Sequence, residues 1–245
     1  MVSEQEFCPV AFPEAFHDTP RMRTAAIVGL AFGVVMLASQ EAGAQMIRLG
    51  EVLVLTPSEG THATGGSDHL VQADRGNRKG QFYRVWTGAV KSGTPPAGDR
   101  STEYHLLSPE KAGTLPDVEV LGIHFIKVLP ERRDAFERFV GETLHPAVAN
   151  LRRDLRLLYY KAVRGAEAPG YILLFALTKQ SRDKYWPGGS DSDVLRAAFA
   201  PIRVHTKELS TYLVPDSALT DEKFAAAIYE SREWTDFVLV PSGSR

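Results

Sequence analysis

The spacing of apolar residues changes several times along the second half of this chain. The stretch VLGIHFIKVL, residues 120–129, is nearly continuous in apolar and β-branched residues, which is typical of a strand covered on both faces. After Pro130, which is tolerated in the first turn of a helix, apolar residues recur at helical spacing. They are Phe136, Phe139, Val140, Leu144, Ala147, Val148 and Leu151. The pattern predicts a strand and then an amphipathic helix, with His145 on the opposite, solvent-facing side.

Two more strands, further helices and a last strand are predicted downstream. LRLLYYKAV and GYILLFALT are strand-like runs that flank the turn RGAEAP. Residues 192–214 have a helical pattern with a bend at Pro201, because proline removes a backbone donor there. Residues 220–233 open with a threonine cap and predict another helix, and WTDFVLV predicts a final strand. From residue 120 the order is β-α-β-β-α-β with one extra helix, which is a ferredoxin-like arrangement.

The first half contains an echo of the second. ADRGNRKGQFYRVW, residues 73–86, resembles AVRGAEAPGYILLF, residues 162–175, with Arg75-Gly76 and Gly80 matched to Arg164-Gly165 and Gly170. Chance recurrence of a common hairpin pattern is one explanation. Duplication is the other, and it predicts two equivalent hairpins in two facing sheets that bury each other's apolar faces.

The predicted fold class is therefore α+β, with two ferredoxin-like modules packed as an α/β barrel. Residues 45–111 form the degenerate first copy, in which GEVLVLT, HLVQAD, QFYRVWTG and EYHLL are strand-like and no helix pair is visible. Residues 112–245 form the fuller second copy.

The N-terminal region has the pattern of a secretory signal. Arg21-Met22-Arg23 precedes a run from Thr24 to Ala38 without charged residues, and Ala42-Gly43-Ala44 has the small-x-small pattern of a cleavage site. We expect residues 22–44 to be a signal peptide cleaved after Ala44, and residues 1–21 to be a mis-annotated or disordered leader. The protein would then be exported, periplasmic or secreted, and free of the membrane after cleavage. A buried helix or a retained anchor is the alternative for the apolar run.

Composition removes several classes of function. The formal net charge of −2 offers no basic patch of the size that nucleic acid requires. The single cysteine, Cys8, lies in the part that would be discarded, which excludes disulfides and thiolate chemistry from the mature chain. No nucleophile elbow, P-loop, dinucleotide fingerprint or metal-ligand spacing occurs in the sequence, so no metal site is predicted.

Three segments carry a resemblance to a known group. GIHFIKVLPERRDAFERF, LLFALTKQSRDKYW and SDVLRAAF resemble the dimeric α/β-barrel superfamily, which includes antibiotic-biosynthesis-type monooxygenases, EthD-like and NIPSNAP-like proteins. The resemblance covers about residues 118–240. It implies that two sheets pair face to face, between subunits of a homodimer or between tandem modules. It also implies that a small apolar or aromatic molecule is the partner, held between sheet and helices.

The residues that could act on such a ligand are two histidines and a group of aromatic side chains. His124, in an apolar strand, and His205, at the edge of a helix, are the catalytic candidates, although core or solvated histidines are the simpler reading. The predicted pocket residues are Tyr159, Trp186, Phe199 and Tyr212. Their rings suit a ligand cleft or an interface between modules equally well.

Three functions remain in competition. The first is ligand binding with cofactor-independent monooxygenase-like chemistry. The second is a non-catalytic interaction protein that dimerises through its sheet face. The third is haem binding or degradation, since Trp186 matches a tryptophan of the haem-degrading branch. That branch ligates iron through a histidine where this chain has Phe199, so no cofactor is predicted.

Overall fold

The strands and helices follow the sequence pattern closely. The computed structural model describes residues 46–59, 68–90, 100–149, 151, 154–214 and 234–240. Its strands are β1 (Ile47–Arg48), β2 (Val52–Ser58), β3 (His69–Gly76), β4 (Phe82–Gly88), β5 (Thr102–Leu106), β6 (Asp117–Val118), β7 (Val120–Ile126), β8 (Arg156–Arg164), β9 (Tyr171–Leu177) and β10 (Trp234–Leu239). Its helices are α1 (Arg133–Phe139), α2 (His145–Ala149), α3 (Lys179–Tyr185), α4 (Asp193–Phe199) and α5 (Arg203–Ser210). The signal segment and the helix predicted at 220–233 lie outside the described residues.

Eight of these strands close into an antiparallel barrel in the order β10-β3-β4-β2-β5-β8-β9-β7, and β1 pairs with β6 beside it. Each half of the chain supplies four strands in the same order, second-third-first-fourth: β3-β4-β2-β5 and β8-β9-β7-β10. The fourth strand of each half pairs with the second strand of the other, β5 with β8 and β10 with β3. The expectation of a closed barrel with mixed α and β structure is confirmed, and one chain supplies all eight strands.

Alternate residues of every barrel strand fill the interior with side chains. Leu53 and Leu55 of β2, Leu121 and Ile123 of β7, and Leu174 of β9 belong to this core and are almost fully buried. Two-residue alternation places them on one side of each strand, and the sides meet inside the barrel. The apolar faces of the strands from the two halves therefore bury each other inside the barrel.

A second core lies outside the barrel, where helices pack on the strands of the second half. Phe136 and Val140 from the first helical segment and Phe199 from α4 pack with outward-facing residues of β8 and β9 such as Leu173. The bend at Pro201 is confirmed, since a 3-10 turn at Ala200–Ile202 separates α4 from α5. Helix α3 was not predicted separately.

The two Arg-Gly hairpins occupy equivalent places in the barrel, as duplication predicts. The Ala73 N–H donates to the Gln81 carbonyl and the Ala162 N–H to the Gly170 carbonyl, both at 2.8 Å. Gln81, and not Gly80, is therefore the counterpart of Gly170, and the predicted match of the two glycines was wrong by one residue. The turns have equal length, and Gly80 lies inside its turn with a φ of +87°.

The prediction of a solvent-facing His145 was wrong. The side chain is fully buried, and its Nε2 accepts the Tyr159 N–H at 3.3 Å. A π-helical turn at Val140–Leu144 lies between α1 and α2. A π-helical turn contains more residues than an α-helical turn, so every later residue points in a different direction from that expected for a regular α-helix. His145 therefore faces the core.

Candidate functional site

The candidate site is centred on an acidic residue of the last strand. Asp236 of β10 lies opposite Arg75 of β3 on one side and Gly122 of β7 on the other. In the first half, Glu103 of β5 has the equivalent place, opposite Arg164 of β8 and Val54 of β2. The two halves of the barrel thus contain corresponding acids, each opposite the arginine of an Arg-Gly pair.

The acid of the first half is paired with its arginine. Arg164 contacts the Glu103 carboxylate at 2.7 Å, and His105 Nε2 lies 2.8 Å from its other oxygen. This is the arrangement expected for a carboxylate that is largely buried.

The acid of the second half, Asp236, is not paired with the arginine opposite it. Arg75 donates instead to Asp183 Oδ1 at 3.1 Å and to the Trp186 carbonyl at 3.2 Å, both contributed by α3 and the residue after it. The guanidinium of Arg182 donates to Asp74 at 2.7 Å. Among the described residues, the Asp236 carboxyl forms no hydrogen bond or ion pair. Arg75 is therefore bound to Asp183 and Trp186, and Arg182 to Asp74, so neither cation is paired with Asp236.

Asp236 is also largely shielded from water. The residue is only 8% exposed. A Cβ at position 122 would lie 3.3 Å from Asp236 Oδ1 and 3.2 Å from Phe175 Cβ, so glycine in this strand leaves room for the acid. Burial raises the pKa of Asp236 to about 6, against the opposing effect of Arg182 and Arg75. Its carboxyl can therefore gain or lose a proton near neutral pH.

Aromatic rings flank this acid on the same outer face. His124 lies across from Trp234 in the β7–β10 register, with their rings 6.5 Å apart, and its ring is 5.2 Å from that of Phe175. Burial lowers the pKa of His124 to about 4, so its imidazole is neutral at pH 7. Trp186, which follows α3, packs edge-on against Phe175 at 5.1 Å. We call His124, Phe175, Trp186, Trp234 and Asp236 the Asp236 site.

The structure divides the residues predicted from sequence into two groups. His124, Trp186 and Phe199 meet around Phe175, with the Phe199 ring 6.3 Å from it. Tyr159 and Tyr212 instead surround Phe136, at 6.4 and 6.2 Å. His205 is half-buried on α5 and makes no ring contact with either group. Whether these residues act on a ligand stays a prediction.

Two further features of the described residues bear on this site. No group of three or more His, Cys, Asp or Glu side chains there is placed to hold a metal ion. None of the helices in the same ranges is long and apolar enough to cross a membrane.

Comparison with known proteins gives a structural likeness and no match in sequence. No family model matches the chain, and no curated protein matches it. Among solved structures, the chain is similar to an anthrone oxidase-like protein, with 13% sequence identity and a TM-score of 0.38. The match covers 79% of this chain and 93% of that one.

Proposed function

We propose that this protein binds a small, neutral, apolar or aromatic molecule at the Asp236 site and that Asp236 exchanges a proton with it. The observation that supports the proposal is the unpaired, buried carboxyl of Asp236 beside aromatic rings. The paired Glu103 at the corresponding place shows that the barrel itself does not demand an unpaired acid there. The rings of Phe175, Trp186 and Trp234 supply apolar surface beside it, as in sites for small organic ligands.

The chemistry that such a carboxyl supports is general acid–base catalysis. A base works best when its pKa lies near the operating pH, which burial achieves for Asp236. The proposed reaction begins when the ionised carboxyl removes a proton from an acidic C–H of the ligand. In a cofactor-independent monooxygenase-like reaction, the carbanion then reduces molecular oxygen. One oxygen atom enters at the carbon that loses two hydrogens, and the other leaves as water.

We further propose that the barrel consists of two ferredoxin-like modules of the dimeric α/β-barrel type, fused in one chain. The repeated strand order and the equivalent hairpins support this assignment. So do matched segments in the corresponding strands, EVLVL with EVLGI and TEYHL with TDFVL.

Anthrone is a suitable probe, because it carries an acidic C–H in a neutral polycyclic frame. Oxygen uptake and quinone formation would be followed across pH 5–8 with the full chain. We expect the rate constant kcat/KM to rise with pH about a midpoint near 6, because the base must be ionised. Asp236→Asn should lower kcat by at least about 100-fold, the usual contribution of a positioned base.

Glu103→Gln is the matched control, because it alters the corresponding acid in the other half of the barrel. It should leave the activity of the folded protein unchanged. Equal loss in both variants, or oxidation that Asp236→Asn does not slow, would contradict the proposal.

A second function is favoured by the contacts around Phe175. Its ring is contacted by His124, Trp186 and Phe199, so aromatic side chains fill much of this layer. If these side chains leave no room for a ligand, the protein is a non-catalytic interaction protein. Anthrone would neither bind nor react, and Asp236→Asn would change only stability.

Haem is expected not to bind as a cofactor. The position where the haem-degrading branch has its iron ligand is occupied by Phe199, which is buried against Phe175 and cannot coordinate iron. Titration with haemin should give no sharp, stoichiometric Soret band. A tight complex that His205→Ala abolishes would support the haem-binding alternative.

Export is a separate proposal, supported by the sequence of residues 22–44. We propose that the mature chain begins at Gln45 and leaves the cytoplasm. The intact mass of secreted or periplasmic protein tests this directly. A product that retains residues 24–44 in the membrane would contradict it.

A further inference from the structure

A cavity of about 230 Å³ lies away from the Asp236 site, and no residue lines both. It is bordered by the end of β7, the first residue of α1, the turn between β8 and β9, and Tyr104 of β5. The lining residues are Tyr104, Phe125, Ile126, Lys127, Val128, Arg133, Glu167, Ala168, Pro169, Gly170 and Tyr171. Most of this wall is apolar or aromatic, as in sites that enclose small organic molecules.

Two acidic groups next to this cavity, Glu167 and Glu137, already have cations of their own. Glu167 contacts Arg78 at 3.0 Å, and Arg78 also lies over the Phe125 ring at 3.9 Å. Glu137 contacts Lys161 at 2.7 Å and accepts the Tyr171 hydroxyl at 2.6 Å. Neither carboxylate therefore requires the arginine in the cavity wall.

That arginine, Arg133, is left without an anion. In the described ranges it forms no ion pair, although Glu137 follows it by four residues on α1. Its Nε is buried and has no hydrogen-bond partner. A buried donor without a partner is costly, and a guanidinium binds carboxylates particularly well because two N–H groups can face two oxygens. Lys127, a second cation in the wall, adds to the positive potential.

We propose that this cavity binds a small aromatic monocarboxylate, with the carboxylate at Arg133 and the ring against Phe125 and Tyr171. The volume is small for a ligand site and suits roughly ten non-hydrogen atoms. A single carboxylate suits the Arg133 guanidinium, because Glu167 is already paired with Arg78. The proposal does not depend on the function of the Asp236 site.

Benzoate and its neutral analogue benzamide test the proposal by ¹H–¹⁵N NMR titration of the full chain. Benzoate should shift amide resonances around residues 125–133 and 167–171, and benzamide should bind at least tenfold more weakly. Arg133→Gln should weaken benzoate binding at least tenfold, while Arg133→Lys, which keeps the charge, should retain part of it. Arg132→Gln is the matched control, because Arg132 donates to the Thr211 carbonyl and does not line the cavity.

Each other outcome overturns the proposal. These are no shifts at millimolar benzoate, shifts centred elsewhere, equal binding of benzamide, or equal effects of the Arg132 and Arg133 variants. If Arg133→Gln does not fold, the wild type and Arg133→Lys still test the proposal. Both should bind benzoate more tightly than benzamide. Asp236→Asn should leave benzoate binding intact, so failure of the proposed catalytic function would not be mistaken for failure of this site.

Discussion

Replacing Gly165 by alanine is expected to lower the free energy of unfolding by roughly 4 kcal/mol, at the upper end of single-residue effects. Gly165 has a φ of +104°, a conformation that L-residues rarely adopt. A Cβ there would also overlap the Ser101 carbonyl oxygen and crowd Thr102. These are backbone atoms beside the β5–β8 junction, so relief would require the barrel to open.

Gly76 is the equivalent residue at the other junction and should behave in the same way. Its φ is +89°, and a Cβ would overlap the Trp234 carbonyl oxygen. Gly80→Ala is the control, because Gly80 also has a positive φ but nothing lies within 4 Å of its added Cβ. That variant should cost about 1 kcal/mol from backbone conformation alone. Urea unfolding measures the stability of all three variants. Equal losses of stability would show that crowding at the strand junctions does not add to the cost of an alanine there.

Acidification to pH 4 is expected to remove up to about 3 kcal/mol of stability through His145. Burial lowers the pKa of His145 to about 4, more than the Ser108 backbone raises it, while the value in the unfolded chain is near 6.5. The folded state therefore favours the neutral imidazole. Its contribution is complete above pH 6.5 and is lost as the pH falls through 4.

Urea unfolding of the wild type and of His145→Gln at several pH values between 7.5 and 4 measures this effect. The variant should be less stable at pH 7.5 and should lose less stability on acidification. His124 has the same direction of pKa shift and contributes its own part of the slope. An unchanged slope in His145→Gln would contradict the assignment.

Much of the barrel could be predicted from the sequence because its strands carry strong local patterns. The apolar runs LRLLYYKAV and GYILLFALT and the Arg-Gly turn between them are local features, and they identified this hairpin correctly. The strand EVLVL resembles EVLGI, and TEYHL resembles TDFVL, so the similarity between the two halves extends beyond the hairpins. Those two matches also contain the corresponding acids, Glu103 and Asp236.

The candidate site could not be predicted because it depends on contacts between distant segments. Asp236 has no unusual sequence neighbours. Its carboxyl is unpaired because Arg75 bonds Asp183 on α3, which lies 108 residues after Arg75 in the chain. His145 was misplaced for a comparable reason. Helical spacing assumes an unbroken α-helix, and the π-helical turn before it changes the phase. For Asp236 the cause is a long-range contact, and for His145 it is a local change in helix geometry.

The titration of the Asp236 carboxyl tests the central claim of this account most directly. Carbon-13 NMR of aspartate-labelled protein would follow the side-chain carboxyl signal that disappears in Asp236→Asn. An unpaired, buried acid predicts a midpoint near pH 6, well above the ordinary value of 3.8. A midpoint at or below 3.8 would show that water or a cation satisfies the carboxylate, and the proposed role of Asp236 as a base would be wrong.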